Sequence, residues 1–202
     1  MSQSRGQVVA IVLAAGASRR MGENKMLLPL GKESLVRRTV RRVLEAGFDA
    51  VWVVLGRDAE SVRAQLEGLP VQTVENPRYP EGLGTSFRAA VEALPERVEA
   101  AVFVLADQVF VTPEMYRKVL EAYRVSRAKV VLSHFGQVQA PPHLFRRELF
   151  PELGQRPDRG AKEVIERYRS ETLTVELPGS ALFDLDTPDD YQEALRRLAD
   201  EP

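Results

Sequence analysis

The chain has 202 residues, of which 44% are hydrophobic and 28% charged, values typical of one soluble globular domain with a substantial core. Its formal net charge of −1 gives no overall attraction to nucleic acid or to an anionic membrane, so we expect neither as a partner. The absence of cysteine excludes disulfides, thiolate catalysis and cysteine-ligated metal sites.

The chain starts with a short polar segment, MSQSRGQ, which lacks the hydrophobic region of a signal peptide. No later apolar run is long enough to span a bilayer. We therefore expect a cytoplasmic protein.

Residues 8–25, VVAIVLAAGASRRMGENK, combine an apolar run of strand length with a glycine-containing basic loop. Open α/β sheets bind ligands where such loops leave the carboxyl ends of strands. Arg19, Arg20 and Lys25 supply positive charge for a polyphosphate, and the two glycines allow close approach of the backbone. The spacing G-x5-G-x2-K is neither a P-loop nor G-x-G-x-x-G. The segment therefore predicts a nucleotide site of another kind.

Strand-like and helix-like segments alternate after this loop. We expect a helix capped by Ser34, a buried strand over residues 50–55, a helix capped by Asp58 and a shorter strand over residues 71–74. No repeat or linker divides the chain. The pattern predicts one α/β domain over residues 1–202, with a Rossmann-like, mainly parallel sheet and helices on both faces.

The next candidate for a functional segment is residues 76–88, NPRYPEGLGTSFR. Its two prolines and two glycines predict an irregular loop, which leads into a helix over residues 85–94. A helix N-terminus presents free N–H groups and favours anions, so a nucleotide could be contacted here. By itself, the pattern equally fits an ordinary loop and helix cap.

A third candidate is Asp107, which ends the apolar run of residues 101–106. A carboxylate at the carboxyl end of a central strand is suited to hold Mg²⁺ together with substrate phosphates. Helix capping is the plain alternative, but Thr112 and Pro113 already provide a cap and a first-turn proline for the next helix.

The fourth candidate is residues 182–195, LFDLDTPDDYQEAL. Asp184 and Asp186 would face the same side of an extended strand, where two carboxylates repel each other unless a cation intervenes. Asp189 and Asp190 are most simply first-turn residues of a helix that begins after Thr187.

The first loop resembles the signature of the MobA/MocA-like nucleotidyltransferases, roughly LAAG-x-S-x-R-M-G-x-x-K-x-L-L-P-L. The matching positions are Ser18, Arg20, Met21, Gly22, Lys25 and residues 28–30. Residues 76–88 resemble the N-P-x-Y-x-x-G-x-x-x-S-x-R segment of this family. Asp107 falls in a match to its A-D-Q-P metal motif, with Val109 in place of proline, and residues 182–195 resemble its D-x-D-T-P-x-D-Y ending.

The resemblance implies a nucleotide-diphospho-sugar-transferase-like fold and specific roles for the matching residues. Arg20, Lys25 and Asp107 are expected to be catalytic, and Asp107 and Asp186 to bind Mg²⁺, with Asp184 as support. The expected nucleotide-binding residues are Leu13, Ala14, Ala15, Gly16, Ser18, Arg20, Lys25, Asn76, Gly82 and Ser86.

Residues at about 130–180 resemble the acceptor-binding half of the family. Pro142, Leu144 and Phe145 match its G-H-P-x-L-F segment, and Asp158, Gly160 and Ala161 match its G-D-x-G-A-R segment. The departures are Ala140 and Pro141 for Gly and His, Pro157 for Gly, and Lys162 for Arg. His134 and His143 are expected to be polar strand or loop residues, because two imidazoles without a fixed spacing are a weak metal signal.

The resemblance implies transfer of a nucleoside monophosphate from a nucleoside triphosphate to a phosphorylated acceptor, with release of pyrophosphate. The acceptor would be molybdopterin or the molybdenum cofactor, a molybdoenzyme would receive the product, and the protein would be a monomer or small homo-oligomer. The LAAG form favours CTP over GTP. The alternatives are a guanylyltransferase, a sugar- or polyol-phosphate nucleotidyltransferase, disfavoured by Asn24 before Lys25, and a non-catalytic cofactor-binding chaperone.

Overall fold

The structure is a computed structural model that describes residues 6–18 and 20–199. Arg19, one of the three basic residues expected to contact a polyphosphate, lies outside the described residues. None of the helices within these ranges combines the length and the apolar character that a membrane span requires.

The described residues form a central sheet, a small hairpin and six α-helices. The strands are β1 (Gln7–Ala14), β2 (Pro29–Leu30), β3 (Glu33–Ser34), β4 (Ala50–Leu55), β5 (Val71–Glu75), β6 (Val98–Leu105), β7 (Val130–Phe135), β8 (Val138–Gln139), β9 (His143–Arg146) and β10 (Thr172–Leu177). The helices are α1 (Leu35–Leu44), α2 (Ala59–Ala64), α3 (Leu83–Ala93), α4 (Pro113–Ser126), α5 (Lys162–Arg167) and α6 (Pro188–Ala199).

The sheet is mostly parallel and runs in the order β10-β7-β9-β6-β1-β4-β5, with β8 paired to β7. β1 is central and parallel to both β4 and β6, whereas β9 is antiparallel to β6 and β7. β2 and β3 pair separately. The chain reverses its direction of travel across the sheet at β1, which is the place where open α/β sheets form a ligand-binding crevice.

Helices cover both faces because the side chains of a buried strand point alternately to each side. Ala10 and Val12 of β1 belong to a core that includes residues of α1, α4 and α6. Ile11 and Leu13 belong to a second core on the other face, in which Phe87 of α3 stacks on Phe103 of β6 with ring centroids 4.4 Å apart. The mostly parallel sheet with helices on both faces confirms the fold expected from the sequence.

Two of the three expected helix caps lack the capping hydrogen bond. Ser34 and Asp58 stand at the N-cap positions of α1 and α2, but neither side chain makes a capping hydrogen bond. Thr112 does cap α4, since its Oγ1 accepts a hydrogen bond from Met115 N. The residue types at these positions therefore predict where the helices begin, but not whether the side chain makes the capping hydrogen bond.

Residues 183–186 do not form the extended strand expected from their alternating pattern. A single antiparallel bridge joins Asp184 to Gln108. Beyond it, the Asp190 carboxylate accepts hydrogen bonds from the backbone N–H groups of Asp186 (3.1 Å) and Thr187 (2.7 Å). This contact turns the backbone into α6, and it confirms Asp190 as a helix-start residue.

Candidate active site

The carboxyl ends of β1 and β6 border a cavity of about 400 Å³. This volume lies within the range of small-molecule sites in proteins. Ten of the twelve residues expected from the sequence line it: Leu13, Ala15, Gly16, Ser18, Arg20, Lys25, Gly82, Ser86, Asp107 and Asp186. Segments that are far apart in the sequence therefore meet at one edge of the sheet.

Lys25 connects the basic loop to the two aspartates. Its side chain is only 7% exposed, and its Nζ lies 2.6 Å from Asp107 Oδ2 and 2.8 Å from Asp186 Oδ1. Burial by itself lowers the pKa of this ammonium, but the charges and hydrogen bonds of Asp107 and Asp186 outweigh burial and raise the pKa above its usual range. Lys25 is therefore positively charged at neutral pH and contacts both carboxylates.

Arg20 provides a second positive charge beside Asp186. Its Nη2 lies 2.6 Å from Asp186 Oδ2, and its side chain is 68% exposed. Partial burial of the Asp186 carboxyl raises its pKa, but the Lys25 and Arg20 contacts together lower that pKa below the usual range. Asp186 is consequently ionised at neutral pH, between one buried and one exposed cation.

Asp184 is chemically different from its neighbours. Partial desolvation and the nearby Asp107 charge raise the pKa of its carboxyl. Asp184 does not line the cavity within the described residues. Its expected role as support for a metal ion stays a prediction.

Two of the expected nucleotide-binding residues do not line the cavity. The Ala14 side chain is buried in the core on the α1 side of the sheet. Asn76 is also buried, and its Nδ2 donates to Thr85 Oγ1 (2.9 Å) and to Ser86 Oγ (3.0 Å). Asn76 thus orients Ser86, which does line the cavity.

Further lining residues were not singled out from the sequence, chiefly an apolar group formed by Tyr79, Pro80 and Leu83. All three belong to the proline- and glycine-containing segment of residues 76–88 that also holds Gly82. Leu83 is 48% exposed, and with Tyr79 and Pro80 it forms an apolar wall of the cavity.

The loop of residues 154–161 packs against the segment that contains Gly82 and Gly84. A Cβ on Gly82, whose φ is +132°, would lie 2.4 Å from the Pro157 carbonyl oxygen. Gly84 N donates to the same oxygen at 2.8 Å. Glycine at both positions therefore allows the two backbones to touch.

The first of the expected acceptor segments, around residues 142–145, lies largely in the core. Leu144 and Phe145 are fully buried in β9. His143 is buried too, its Nδ1 accepts a hydrogen bond from Ser133 N at 3.3 Å, and burial lowers its pKa to about 4. His143 is therefore neutral at pH 7, and it lies in β9, in agreement with the expected polar strand or loop residue.

The side chains at the cavity fit a hard divalent cation. Asp107 and Asp186 both contact Lys25 Nζ, so their carboxylates converge on one point. Mg²⁺ is usually held by one or two carboxylates plus substrate phosphates. The described part of the chain has no group of three or more His, Cys, Asp or Glu residues arranged to hold a metal ion. Two carboxylates would leave the remaining positions of such an ion to substrate oxygens and water.

Comparison with known proteins points in the same direction. A family model, the MobA-like NTP transferase domain, matches residues 10–172. The molybdenum cofactor cytidylyltransferase of Escherichia coli is 26% identical over 194 residues, covering 94% of this chain and 96% of the relative. The bifunctional IPC transferase and DIPP synthase of Rubrobacter xylanophilus is 41% identical over 122 residues, or 57% of this chain, and the match spans only 27% of that relative.

A solved structure also resembles the chain over nearly its whole length. The complex of Rv0371c from Mycobacterium tuberculosis with manganese superposes with a TM-score of 0.81 at 26% identity, covering 96% of this chain and 100% of that one. A divalent metal ion is thus bound in a protein of the same fold.

Proposed function

The chain belongs to the family of MobA-like NTP transferase domains and is a nucleotidyltransferase, and on this premise we propose that it transfers CMP from CTP to a phosphate of molybdopterin or the molybdenum cofactor, with Mg²⁺. The observation that carries the proposal is the contact of Lys25 with both Asp107 and Asp186 at the edge of an open cavity. CTP and this acceptor are favoured because the Escherichia coli relative of that name aligns along nearly the whole chain.

In the proposed reaction, an oxygen of the acceptor phosphate forms a bond to the α-phosphorus of the nucleotide. The bond from this phosphorus to the bridging oxygen of the β-phosphate breaks, and pyrophosphate leaves with the electron pair. Such reactions depend on positioning and on stabilisation of charge more than on a protein nucleophile.

The side chains have separate roles in this scheme. Lys25 and Arg20 bind the triphosphate oxygens, where negative charge increases as pyrophosphate leaves. Asp107 and Asp186 bind the metal ion, which when present neutralises and orients phosphate oxygens. Gly16 and Ser18 face the nucleotide from the basic loop, and Ser86, oriented by Asn76, faces it from the start of α3.

We further propose that residues 1–202 act as one domain, in which the amino-terminal part binds nucleotide and residues 130–180 contribute to acceptor binding. The contact of residues 154–161 with the Gly82–Gly84 backbone supports this division, because it joins the acceptor half to the cavity wall. A second acceptor class, sugar and polyol phosphates, stays in the test as the alternative raised by the sequence.

A two-step experiment tests the proposal. Thermal shift with CTP, GTP, ATP and UTP, each with and without Mg²⁺, identifies the nucleotide, since a ligand that binds only the folded state raises its stability. Pyrophosphate release is then measured with that nucleotide and molybdopterin, or a sugar or polyol phosphate.

We expect CTP with Mg²⁺ to give the largest thermal shift, and molybdopterin to give turnover that is lost in Asp107→Asn. A shift with no nucleotide would contradict the proposal, and binding without turnover on any acceptor would favour a cofactor-carrying protein. Turnover only with a sugar or polyol phosphate would replace the acceptor.

A further inference from the structure

We propose that Asn24 and the loop of residues 56–58 form a brace that positions Lys25, so that Asn24 is a positioning residue for nucleotidyl transfer. The inference rests on the proposed function in one respect, the binding of the triphosphate by Lys25. Asn24, Gly56, Arg57 and Asp58 together make up this Asn24 brace.

Asn24 is only 5% exposed and uses both ends of its amide. Its Nδ2 donates to the Arg57 carbonyl at 2.9 Å and to Asp58 Oδ2 at 3.2 Å. Its Oδ1 accepts from Met26 N at 3.1 Å, which caps the short 3-10 helix Lys25–Leu27. One side chain therefore fixes the backbone on both sides of Lys25 to the strand-end loop after β4.

The loop after β4 also supports the other arm of the basic loop. A Cβ on Gly56 would lie 2.6 Å from the Ala15 carbonyl oxygen, so only glycine allows this approach. Arg57 Nη1 donates to the Ala17 carbonyl at 3.0 Å. The same three loop residues thus hold the cavity-lining backbone at both its start and its end.

Backbone strain accompanies these contacts. Asp58 has a φ of +52°, a left-handed conformation that costs energy in a residue other than glycine. Asp58 is followed directly by α2, yet its side chain does not cap that helix. Its carboxylate instead accepts from Asn24 and contacts Arg57 at 3.4 Å.

The brace acts at the base of the Lys25 side chain, whereas the ion pairs act at its tip. Within the described residues, Asn24 does not line the cavity. We therefore expect it to act through Lys25 and not by contacting the substrate. The Lys25 backbone N–H itself donates a long hydrogen bond, 3.3 Å, to Ser18 Oγ. Without the brace, the Lys25 backbone would move while Asp107 and Asp186 stay fixed on other segments. A displacement of about 1 Å can reduce catalysis about a hundredfold.

The test uses Asn24→Ala, Asn24→Asp and the exchange Asn24→Asp with Asp58→Asn. Asn24→Asp places two carboxylates opposite each other in place of the hydrogen bond between residues 24 and 58. In the exchange, the amide of asparagine at position 58 donates to the carboxylate at position 24. Asparagine fits position 58 because it also tolerates the left-handed conformation. Asp49→Ala is the matched control, since Asp49 likewise accepts from a backbone N–H (Val8, 2.7 Å) but outside the cavity.

Two readouts are measured on each folded variant. The first is kcat/KM for pyrophosphate release, in the wild-type and in the Lys25→Ala background, which separates an effect through Lys25 from a general one. The second is the rate of Lys25 acylation by an amine-reactive reagent, measured by mass spectrometry. This second readout needs no activity, and its internal references are Lys32, Lys118, Lys129 and Lys162.

Asn24→Ala and Asn24→Asp should each lower kcat/KM about 10- to 100-fold, with less than about a twofold further loss in the Lys25→Ala background. Lys25 acylation should rise about fivefold, and the exchange should restore about fivefold of the activity, as expected for one hydrogen bond. Asp49→Ala should change neither readout. Should Asn24→Ala fail to fold, Asn24→Ser keeps an oxygen for Met26 N and is measured in the same way.

Unchanged Lys25 acylation in folded Asn24 variants would overturn the brace, as would an equal loss of kcat/KM in the presence and absence of Lys25. If the wild-type protein transfers no nucleotide at all, the proposed function fails. The acylation rates then still decide whether the brace positions Lys25.

Discussion

Replacing Lys25 with alanine is the sharpest test of the site, because it removes one ammonium from two carboxylates. Lys25 Nζ contacts Asp107 at 2.6 Å and Asp186 at 2.8 Å, and the lysine side chain is 7% exposed. The variant leaves both aspartates facing a cavity without this cation. We expect a large loss of turnover and a smaller loss of stability.

The two magnitudes have different origins. Loss of one preorganised contact to a developing charge costs about 3 kcal/mol in the transition state, or a 100-fold or greater fall in kcat. Two unit charges about 5 Å apart repel by roughly 3 kcal/mol at an effective dielectric constant of about 20. Since Asp107 and Asp186 are 21% and 31% exposed, solvent screens part of this repulsion, and we expect about 1–2 kcal/mol of destabilisation.

The assay combines pyrophosphate release with urea unfolding, and the control is Lys32→Ala. Lys32 is an exposed lysine in the turn between β2 and β3, so its removal should change neither turnover nor stability measurably. The pKa of Asp186, lowered by Lys25 and Arg20 in the wild type, should rise in Lys25→Ala. A folded Lys25→Ala protein with more than about one tenth of wild-type turnover would refute the reasoning.

Three further substitutions test the surroundings of the site. Arg20→Ala should raise KM for the nucleotide about tenfold, because a charged hydrogen-bond donor is lost. It should change the free energy of unfolding in urea by less than about 0.5 kcal/mol, since the Arg20 side chain is 68% exposed. An unchanged KM would exclude a role of Arg20 in nucleotide binding. Burial lowers the pKa of His143 to about 4, so the unfolded chain takes up a proton from about pH 6.5 downwards and the folded protein does not. Wild-type stability should therefore fall about 2 kcal/mol more than that of His143→Gln between pH 7 and pH 5 in urea titrations, and parallel falls would contradict this. Gly84→Ala should destabilise by about 1–3 kcal/mol, because the new Cβ would lie 2.2 Å from the Arg156 carbonyl oxygen, and an unchanged urea midpoint would show that residues 154–161 yield freely.

The sheet could be predicted because its strands are buried on both faces. Residues 50–55 form a continuous apolar run and coincide with β4, and the expected strand over residues 71–74 is one residue shorter than β5. Antiparallel β9 was not predicted as a strand, although Leu144 and Phe145 are among its buried residues. A four-residue strand between a proline pair and a 3-10 helix has too short a pattern to separate it from a loop.

The site could be predicted as a set of residues but not as a geometry. Asp107 was expected at a strand end because an apolar run leads directly into it. The arrangement of Asp186 depends on the Asp190 carboxylate, which turns the backbone after a single bridge at Asp184. The contact of Asn24 with Arg57 and Asp58 joins segments more than thirty residues apart, and no local pattern predicts such a bond.

The charges of the site explain why nucleotide and metal ion should depend on each other. Lys25 and Arg20 already balance Asp107 and Asp186, so a triphosphate that attracts both cations leaves the two carboxylates uncompensated. In a partly buried site this imbalance opposes binding. A divalent cation held by Asp107 and Asp186 would supply the missing positive charge and would leave Lys25 available for the nucleotide. The thermal shift of CTP with Mg²⁺ should therefore exceed the sum of the shifts with each alone, because each partner supplies the charge that the other requires.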